Sequence, residues 1–284
     1  MNEFSRCHPI VNLIFYVMVL AFSVTLMHPA CLGVAFFGSI LMSFITSGGK
    51  STLKVLATAV FVALATAVFN GLFNHQGMTT IWYFPNGNAL TAESLVFGAM
   101  SGVMLASVVI WFMSLNKIIT SEKIIYLFGG VLPVISLMIS MVLRFVPEFI
   151  RNFRGINDAR YAICKGDENK IVRLKKTFSA FVYVTLENAI KTADSMKARR
   201  FGEALRTSYA NYKFTKRDTI LVLILLLFSG VTLCGVLLGE TKATYFPQIV
   251  FGKITVKTIL SYVALCITPL VFEIWEWLRW KKLK

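Results

Sequence analysis

The sequence predicts an all-α fold, that of a polytopic helical membrane protein with long amphipathic helices on the cytoplasmic side. The first observation is composition: 56% of the 284 residues are apolar and only 15% are charged, whereas soluble domains have about 25% charged residues. The second is that apolar residues form runs of about 20 residues, the length that crosses a bilayer as a helix. The third is a basic stretch, residues 144–217, that keeps helical periodicity.

The individual elements follow from the apolar runs in chain order. Six runs are long and apolar enough to be single spans: 10–27, 30–46, 55–73, 95–115, 219–238 and 259–277. A further run, 124–143, contains two glycines and a proline, so we expect it to be kinked, and to pair with run 178–190 or lie near the inner surface. The predicted organisation is N-terminal transmembrane helices (1–123), membrane-proximal and cytoplasmic helices (124–217) and C-terminal transmembrane helices (218–284).

The predicted orientation rests on the positions of Lys and Arg, which are in excess in the cytoplasmic loops of membrane proteins. Basic residues precede the first span, follow the second and fourth spans and follow the last one, whereas loop 74–93 has none. We therefore expect a multi-pass protein of the cell membrane with both termini in the cytoplasm. Loop 239–258 departs from the pattern, because it should lie outside and yet carries Lys242, Lys253 and Lys257.

The basic stretch contains two predicted amphipathic helices. Residues 144–217 hold 17 Lys and Arg against seven Asp and Glu. Two apolar stripes recur at helical spacing, and an arginine continues each stripe near the helix end. The first stripe is Phe149, Phe153, Ile156 and then Arg160; the second is Phe178, Val182, Thr185, Ala189, Thr192, Met196 and then Arg199. Gly166 and Gly202 follow as predicted helix stops.

Two interpretations of these arginines are open. A cation near a helix C-terminus complements the helix dipole and meets the last carbonyl groups, which requires no partner. Alternatively, the arginines belong to a docking surface, since a guanidinium fork suits the carboxylates and carbonyl groups of another protein. The presence of two such helices in one basic stretch favours docking.

On these residues the chain resembles the transmembrane T component of energy-coupling factor (ECF) transporters. In that family two short motifs, each centred on Ala-Arg-Gly, end two cytoplasmic coupling helices. Ala159–Arg160 and Ala198–Arg199 stand at those places, the second within the better-matching run 194–202. Residues 143–147 resemble the start of the first coupling helix, and residues 6–13 resemble the family's opening His-Pro segment.

The chain departs from the family pattern after each arginine. Tyr161 and Arg200 stand where the family has glycine, the residue that allows a helix to end tightly. Arg200 is therefore a docking candidate in place of Arg199 or beside it.

The resemblance implies a scaffold role. Two ABC ATPase subunits would receive the helix ends beneath the membrane, and a separate small membrane protein, the S component, would capture a vitamin or metal ion and be reoriented by this chain. The ATPase-docking residues would be Ala159, Arg160, Ala198, Arg199 and Arg200. The resemblance implies no catalytic, cofactor-binding or metal-binding residue, so we expect neither an enzyme nor a cofactor.

Other function classes are less well supported by the sequence. The net charge of +15 is attributed to cytoplasmic loops rather than to nucleic-acid binding. The run 47–52 resembles the end of a phosphate-binding loop, but Phe44 stands where the complete pattern needs glycine. A stand-alone secondary transporter or channel would need ionisable residues within its spans, and the first five spans have none. The permease of a conventional ABC importer, the other alternative, would use one short coupling helix rather than two.

Overall fold

The structure is a computed structural model that describes residues 3–83, 89–163, 169–200, 212 and 214–283. It confirms the predicted all-α polytopic fold. Within the described residues, five helices are long and apolar enough to cross a membrane. The predicted helix stops at Gly166 and Gly202 lie outside the described residues, as does Cys164.

The described residues form a short 3-10 helix, nine α-helices and two small hairpins. The 3-10 helix is Glu3–Arg6, and the α-helices are α1 (Pro9–Thr25), α2 (Pro29–Ser47), α3 (Gly49–Phe73), α4 (Ala92–Ile118), α5 (Ser121–Val131), α6 (Pro133–Ile163), α7 (Lys170–Ala198), α8 (Lys216–Leu237) and α9 (Val256–Leu283). Both predicted outer loops contain an antiparallel hairpin: β1 (Thr80–Tyr83) pairs with β2 (Ala89–Thr91), and β3 (Ala243–Thr244) pairs with β4 (Val250–Phe251).

Two compact units make up the chain. The first consists of Met1–Lys123 together with Tyr212–Lys284, and the second of Ile124–Asn211. The first unit contains the five candidate spans and α1. The second contains most of α5, together with α6 and α7.

Helix α1 provides much of the core of the first unit. Its 17 residues make it shorter than the predicted run and shorter than the ~20 residues of a typical span, because the chain leaves the helix before the His28–Pro29 turn. It contacts α2, α4 and α8, and most of one face is buried. The ring of Trp111 on α4 lies edge-on to Phe15 and Tyr16, at 5.8 and 6.2 Å between centroids. Such edge-to-face aromatic pairs stabilise a core beyond the area they bury.

Helices α3 and α4 are in close contact through small residues. A Cβ atom built on Gly102 would lie 2.6 Å from the carbonyl oxygen of Ala63, and one on Gly98 would lie 3.0 Å from that of Ala67. These distances leave no room for a side chain, as in the small-residue contacts of membrane helices. Gly98 and Gly102 therefore allow the close packing of α3 and α4.

The glycines at residues 48 and 49 form a helix–helix turn rather than a phosphate-binding loop. Gly48 follows α2 with a φ of 73°, a left-handed conformation in which glycine avoids a Cβ clash. Its amide donates to Phe44 O at 3.0 Å, and α3 begins at the next residue.

Two histidines begin the first two helices. The Nδ1 atom of His8 accepts from the Ile10 amide and that of His28 from the Ala30 amide, both at 3.3 Å. Proline follows each histidine at the first helical position, where its missing N–H is not needed. Burial lowers the pKa of both imidazoles, which favours the neutral form that can accept. These histidines therefore act as helix caps.

Lys123 is buried and holds the N-terminal segment, residues 4–12, against the end of α4. Its ammonium donates to Ser5 O and to Ile118 O, the latter at 2.8 Å. With its amide oriented to suit its neighbours, Asn12 accepts from Lys123 at 3.1 Å and donates to Phe4 O at 3.1 Å. Lys123 is only 6% exposed, and burial lowers its pKa. Three oxygens therefore compensate the buried cation.

Candidate functional site

The second unit contains the two helices that carry the candidate docking residues. The kink predicted in run 124–143 is confirmed, since α5 ends at Val131 and α6 begins at Pro133. Proline is suited to a first helical position, where its fixed φ fits the helix and no N–H is required. Helix α6 then continues to Ile163 as one element of 31 residues, so the first amphipathic helix includes the second half of that apolar run.

Helices α6 and α7 pack against each other in antiparallel directions. The ring of Phe181 on α7 lies edge-on to Phe149 and Phe153 of α6, at 5.8 and 5.6 Å between centroids. Earlier on α7, the guanidinium of Arg173 lies 5.3 Å from the ring centroid of Tyr161, near the end of α6. Residues later in α7 thus contact residues earlier in α6, so the two helices form an antiparallel hairpin.

The antiparallel arrangement of α6 and α7 places the two candidate motifs at opposite ends of the hairpin. Arg160 lies beside Tyr161, at the end of the hairpin where α7 begins. Arg199 lies 26 positions beyond Arg173, at the other end of α7, which corresponds to about 39 Å of helix. The structure therefore does not bring Arg160 and Arg199 together: they are two separate sites, and one binding groove cannot take both.

At the first site, the helix does not end at the arginine. Ala159 is exposed and Arg160 is half-buried, and α6 continues through Tyr161 to Ile163. Tyr161 is therefore in an ordinary helical position, where glycine has no conformational advantage. Its ring supports Arg173 of α7, so the tyrosine links the two helices at this end.

At the second site, the helix ends at the arginine pair. Arg199 is the C-terminal cap of α7, and its amide lies 3.2 Å from both Ser195 O and Met196 O. The Arg200 amide donates to Lys197 O at 3.0 Å, and Arg200 has a φ of 59°. Hydrogen bonds and φ of this kind are those of a helix that ends in a left-handed residue, usually glycine. The departure from the family pattern thus falls where glycine would be favoured.

The side chains at the second site are accessible. Ala198, Arg199 and Arg200 are all exposed. Because Arg200 adopts the left-handed conformation, it turns the chain immediately after Arg199. Both guanidinium groups are thus at an exposed helix end, where five donors each can meet carboxylate or carbonyl oxygens.

The apolar stripe predicted on α7 differs from the face that packs on α6. Thr177 is fully buried and Phe181 is half-buried, whereas the stripe residues Phe178 and Val182 are 58% and 37% exposed. A hydropathy pattern does not identify a threonine as a buried residue, so the packed face was missed. Of the six stripe residues, Phe178, Val182 and Ala189 are exposed and Thr185, Thr192 and Met196 are half-buried.

Many large apolar side chains of the second unit are exposed. On α6 and α7 these include Val134, Ile135, Met138, Val142, Leu143, Val146, Ile150, Tyr161, Ile163, Ile171, Val172, Leu174, Phe178, Val182, Tyr183, Leu186 and Ile190. Exposed apolar surface of this extent is typical of protein–protein or membrane interaction sites rather than of a free surface.

In the part of the chain that the structure describes, no group of three or more His, Cys, Asp and Glu residues could hold a metal ion. No protein-family model matches the chain, and no curated protein matches it either. The candidate site is therefore defined by its own geometry: two arginine-bearing ends of an apolar helical hairpin, joined to a membrane-spanning unit.

Proposed function

We propose that this chain is the transmembrane scaffold of an ECF-type importer, in which the ends of α6 and α7 dock two ABC ATPase subunits. The observation that supports this best is that Arg160 and Arg199 lie at opposite ends of the hairpin. About 39 Å of α7 separates Arg199 from Arg173, which stacks on Tyr161 beside Arg160. A pair of ATPases beneath the membrane offers two grooves at two places, and a hairpin with one arginine at each end suits that arrangement.

The exposed apolar surface of the hairpin supports a second part of the proposal. Leu186 and Ile190 are 61% and 64% exposed on α7, between the two arginine sites. These apolar side chains need a partner that covers them. The proposed partner is a small membrane S component that carries a vitamin or metal ion. Movement of the ATPases would then reach the S component through the same two helices.

The proposed orientation places α6 and α7 on the cytoplasmic side of the cell membrane. Thiol labelling tests this directly through Cys164, which lies in the basic stretch between the two helices. A membrane-impermeant thiol reagent should label Cys164 in opened cells or inverted vesicles and not in intact cells. Labelling in intact cells would overturn the orientation and, with it, the access of cytoplasmic ATPases to the two sites.

The docking proposal is tested by charge reversal at both helix ends. The double variant Arg160→Glu with Arg199→Glu should lose copurification of the ATPases and ATP-driven uptake. Truncating one partner of a buried charge pair typically costs roughly 2–5 kcal/mol, and reversal adds repulsion. Expression and membrane insertion should persist, because neither residue lies in a candidate span.

Two control variants make this test specific. Arg151→Glu makes the same charge change at an exposed position of α6 in the middle of the hairpin, nine residues before Arg160, and should leave copurification intact. Arg200→Glu should be milder than Arg199→Glu if Arg199 is the docking residue. If the double variant still binds both ATPases and supports uptake, the arginines serve only as helix-end counter-charges.

A reconstitution experiment separates the scaffold from a stand-alone secondary transporter. The purified chain alone in liposomes should neither hydrolyse ATP nor transport a solute. Uptake driven by a proton or sodium gradient in the absence of ATPases would contradict the scaffold proposal.

A further inference from the structure

Helices α8 and α9 enclose an apolar groove on the surface of the first unit. Its volume is about 690 Å³, within the range of roughly 300–1,000 Å³ that ligand sites occupy. The lining is apolar except at Arg217 and Thr268, and includes Leu221, Phe228, Ala264 and Trp275. Part of it faces outwards from the helices, since Trp275 is 52% exposed, and both helices are candidate membrane spans. The groove is therefore accessible from the lipid phase.

One end of the groove is cationic. The guanidinium of Arg217 lies 5.2 Å from the ring centroid of Phe272, and that of Arg279 lies 5.6 Å from that of Trp275. Stacking on aromatic rings holds a guanidinium in place without removing its charge. Lys216 is exposed beside Arg217, so three cations lie where α8 begins and α9 ends.

The acidic residues near this end are fewer than the basic residues of the two helix ends taken together. On α8, Asp218 is buried and accepts from both the amide and the hydroxyl of Thr215, at 3.0 and 2.7 Å. It therefore caps its own helix. Glu273 and Glu276 are the acidic residues of α9 at this end. Lys281 and Lys282 follow Arg279 in the sequence, so five basic residues stand against three acidic ones and this end of the groove has a net positive charge.

We propose that the groove binds an anionic phospholipid, with an acyl chain between α8 and α9 and the phosphate against Arg217 and Arg279. Basic pockets between transmembrane helices bind anionic lipid headgroups in this way. The groove is apolar along most of its lining, which suits a hydrocarbon chain, and it is charged at one end, which suits the headgroup of an amphiphile. A transmembrane helix of another protein would fill the apolar part but would leave the cationic mouth without a complementary group. The proposal does not depend on the docking of ATPases.

Native mass spectrometry of the purified full-length chain tests the proposal. The protein is equilibrated in mixed micelles that contain equal amounts of phosphatidylglycerol and phosphatidylcholine with the same acyl chains. The wild-type chain should retain phosphatidylglycerol in preference. Each arginine-to-glutamine change, Arg217→Gln or Arg279→Gln, should reduce that preference about fivefold, as expected for one basic residue near a headgroup.

A second variant tests the apolar part of the groove. Ala264→Trp places a large side chain in the lining and should reduce retention of both lipids. Leu227→Trp is the matched control, because Leu227 is 62% exposed on α8 and does not line the groove. Lys50→Gln is the matched charge control, because Lys50 is exposed at the start of α3. Both controls should behave as wild type.

Several results would overturn the proposal. These are equal retention of the two lipids by the wild-type chain, a preference that survives both arginine changes, and an effect of Ala264→Trp no larger than that of Leu227→Trp. Arg279→Gln keeps the test decisive if Arg217→Gln does not fold, because Arg279 is exposed and its replacement removes no core contact. Failure of this proposal would leave the charge-reversal test of the docking sites unaffected.

Discussion

Replacing Lys123 by methionine is a stringent test of the N-terminal packing described above. Methionine keeps the length and apolar stem of lysine and removes the ammonium. The change leaves three acceptors without their donor: Ser5 O, Ile118 O and the side-chain oxygen of Asn12. Their loss should loosen the N-terminal segment from the end of α4.

The expected cost is about 3 kcal/mol, at roughly 1 kcal/mol for each buried acceptor left unsatisfied. Such a cost raises the equilibrium constant for local opening about 100-fold, since each 1.4 kcal/mol is a factor of ten. The substitution also removes the free-energy cost of burying the ammonium, since burial disfavours the charged form of Lys123. This gain offsets part of the expected cost of about 3 kcal/mol.

Cys7 reports this opening directly. It is completely buried in the N-terminal segment, whereas Cys234 is exposed. In a background with Cys164→Ser and Cys234→Ser, a maleimide should modify Cys7 up to about 100-fold faster when Lys123 is methionine, as long as reclosing is faster than labelling. Peptide mass spectrometry identifies the labelled cysteine.

The exposed lysine Lys54 provides the control: Lys54→Met should leave the labelling rate of Cys7 unchanged. An unchanged rate for Lys123→Met would refute the reasoning, because it would mean that the three oxygens are satisfied equally well without the ammonium.

Three further predictions concern local structure. Arg200→Gly should slow hydrogen exchange of the last amides of α7 about fivefold, since a left-handed residue other than glycine costs roughly 1 kcal/mol or more; Arg200→Ala should give no such gain. Gly102→Ala should destabilise the first unit by about 2 kcal/mol in a denaturant titration, because the new methyl group overlaps Ala63 O. Gly230→Ala, with open space around it, should not. Lowering the pH from 7 to 5 should lower the unfolding temperature of wild type more than that of His8→Asn. Burial lowers the pKa of His8, so the stability that its neutral form contributes above about pH 6.5 is lost on acidification.

The transmembrane helices were predictable because a bilayer leaves the backbone few choices. A run of apolar residues must satisfy its own N–H and C=O groups, so it lies within a helix. Helix α3, for example, ends at Phe73 as predicted. Helix α1 ends at Thr25, two residues before the end of the predicted run, because hydropathy does not show that Leu26 and Met27 already lead into the turn at His28 and Pro29. The hairpins of the outer loops were missed for the same reason, since their short strands are set by pairing rather than by composition.

The candidate docking site was predictable in part. Periodicity was sufficient to place Arg160 and Arg199 near the ends of two helices. It did not reveal their separation, which depends on the antiparallel contact of Phe181 with Phe149 and on the stacking of Arg173 over Tyr161. Nothing in the sequence indicated that Lys123 is buried, since lysine is among the residues least often buried. Its burial depends on oxygens that come from distant parts of the chain.

The division of the first unit into two chain segments has a consequence for biosynthesis. Helices α1 to α4 emerge before the 88 residues of Ile124–Asn211, which take roughly 4–18 s to synthesise at ordinary rates. During that interval α1 lacks its contact with α8, and α2 lacks its contact with α9. The hydroxyl of Ser23 also awaits Tyr262, with which it pairs at 3.2 Å. The inserted helices must therefore persist in the membrane with polar and aromatic faces uncovered until α9 is made.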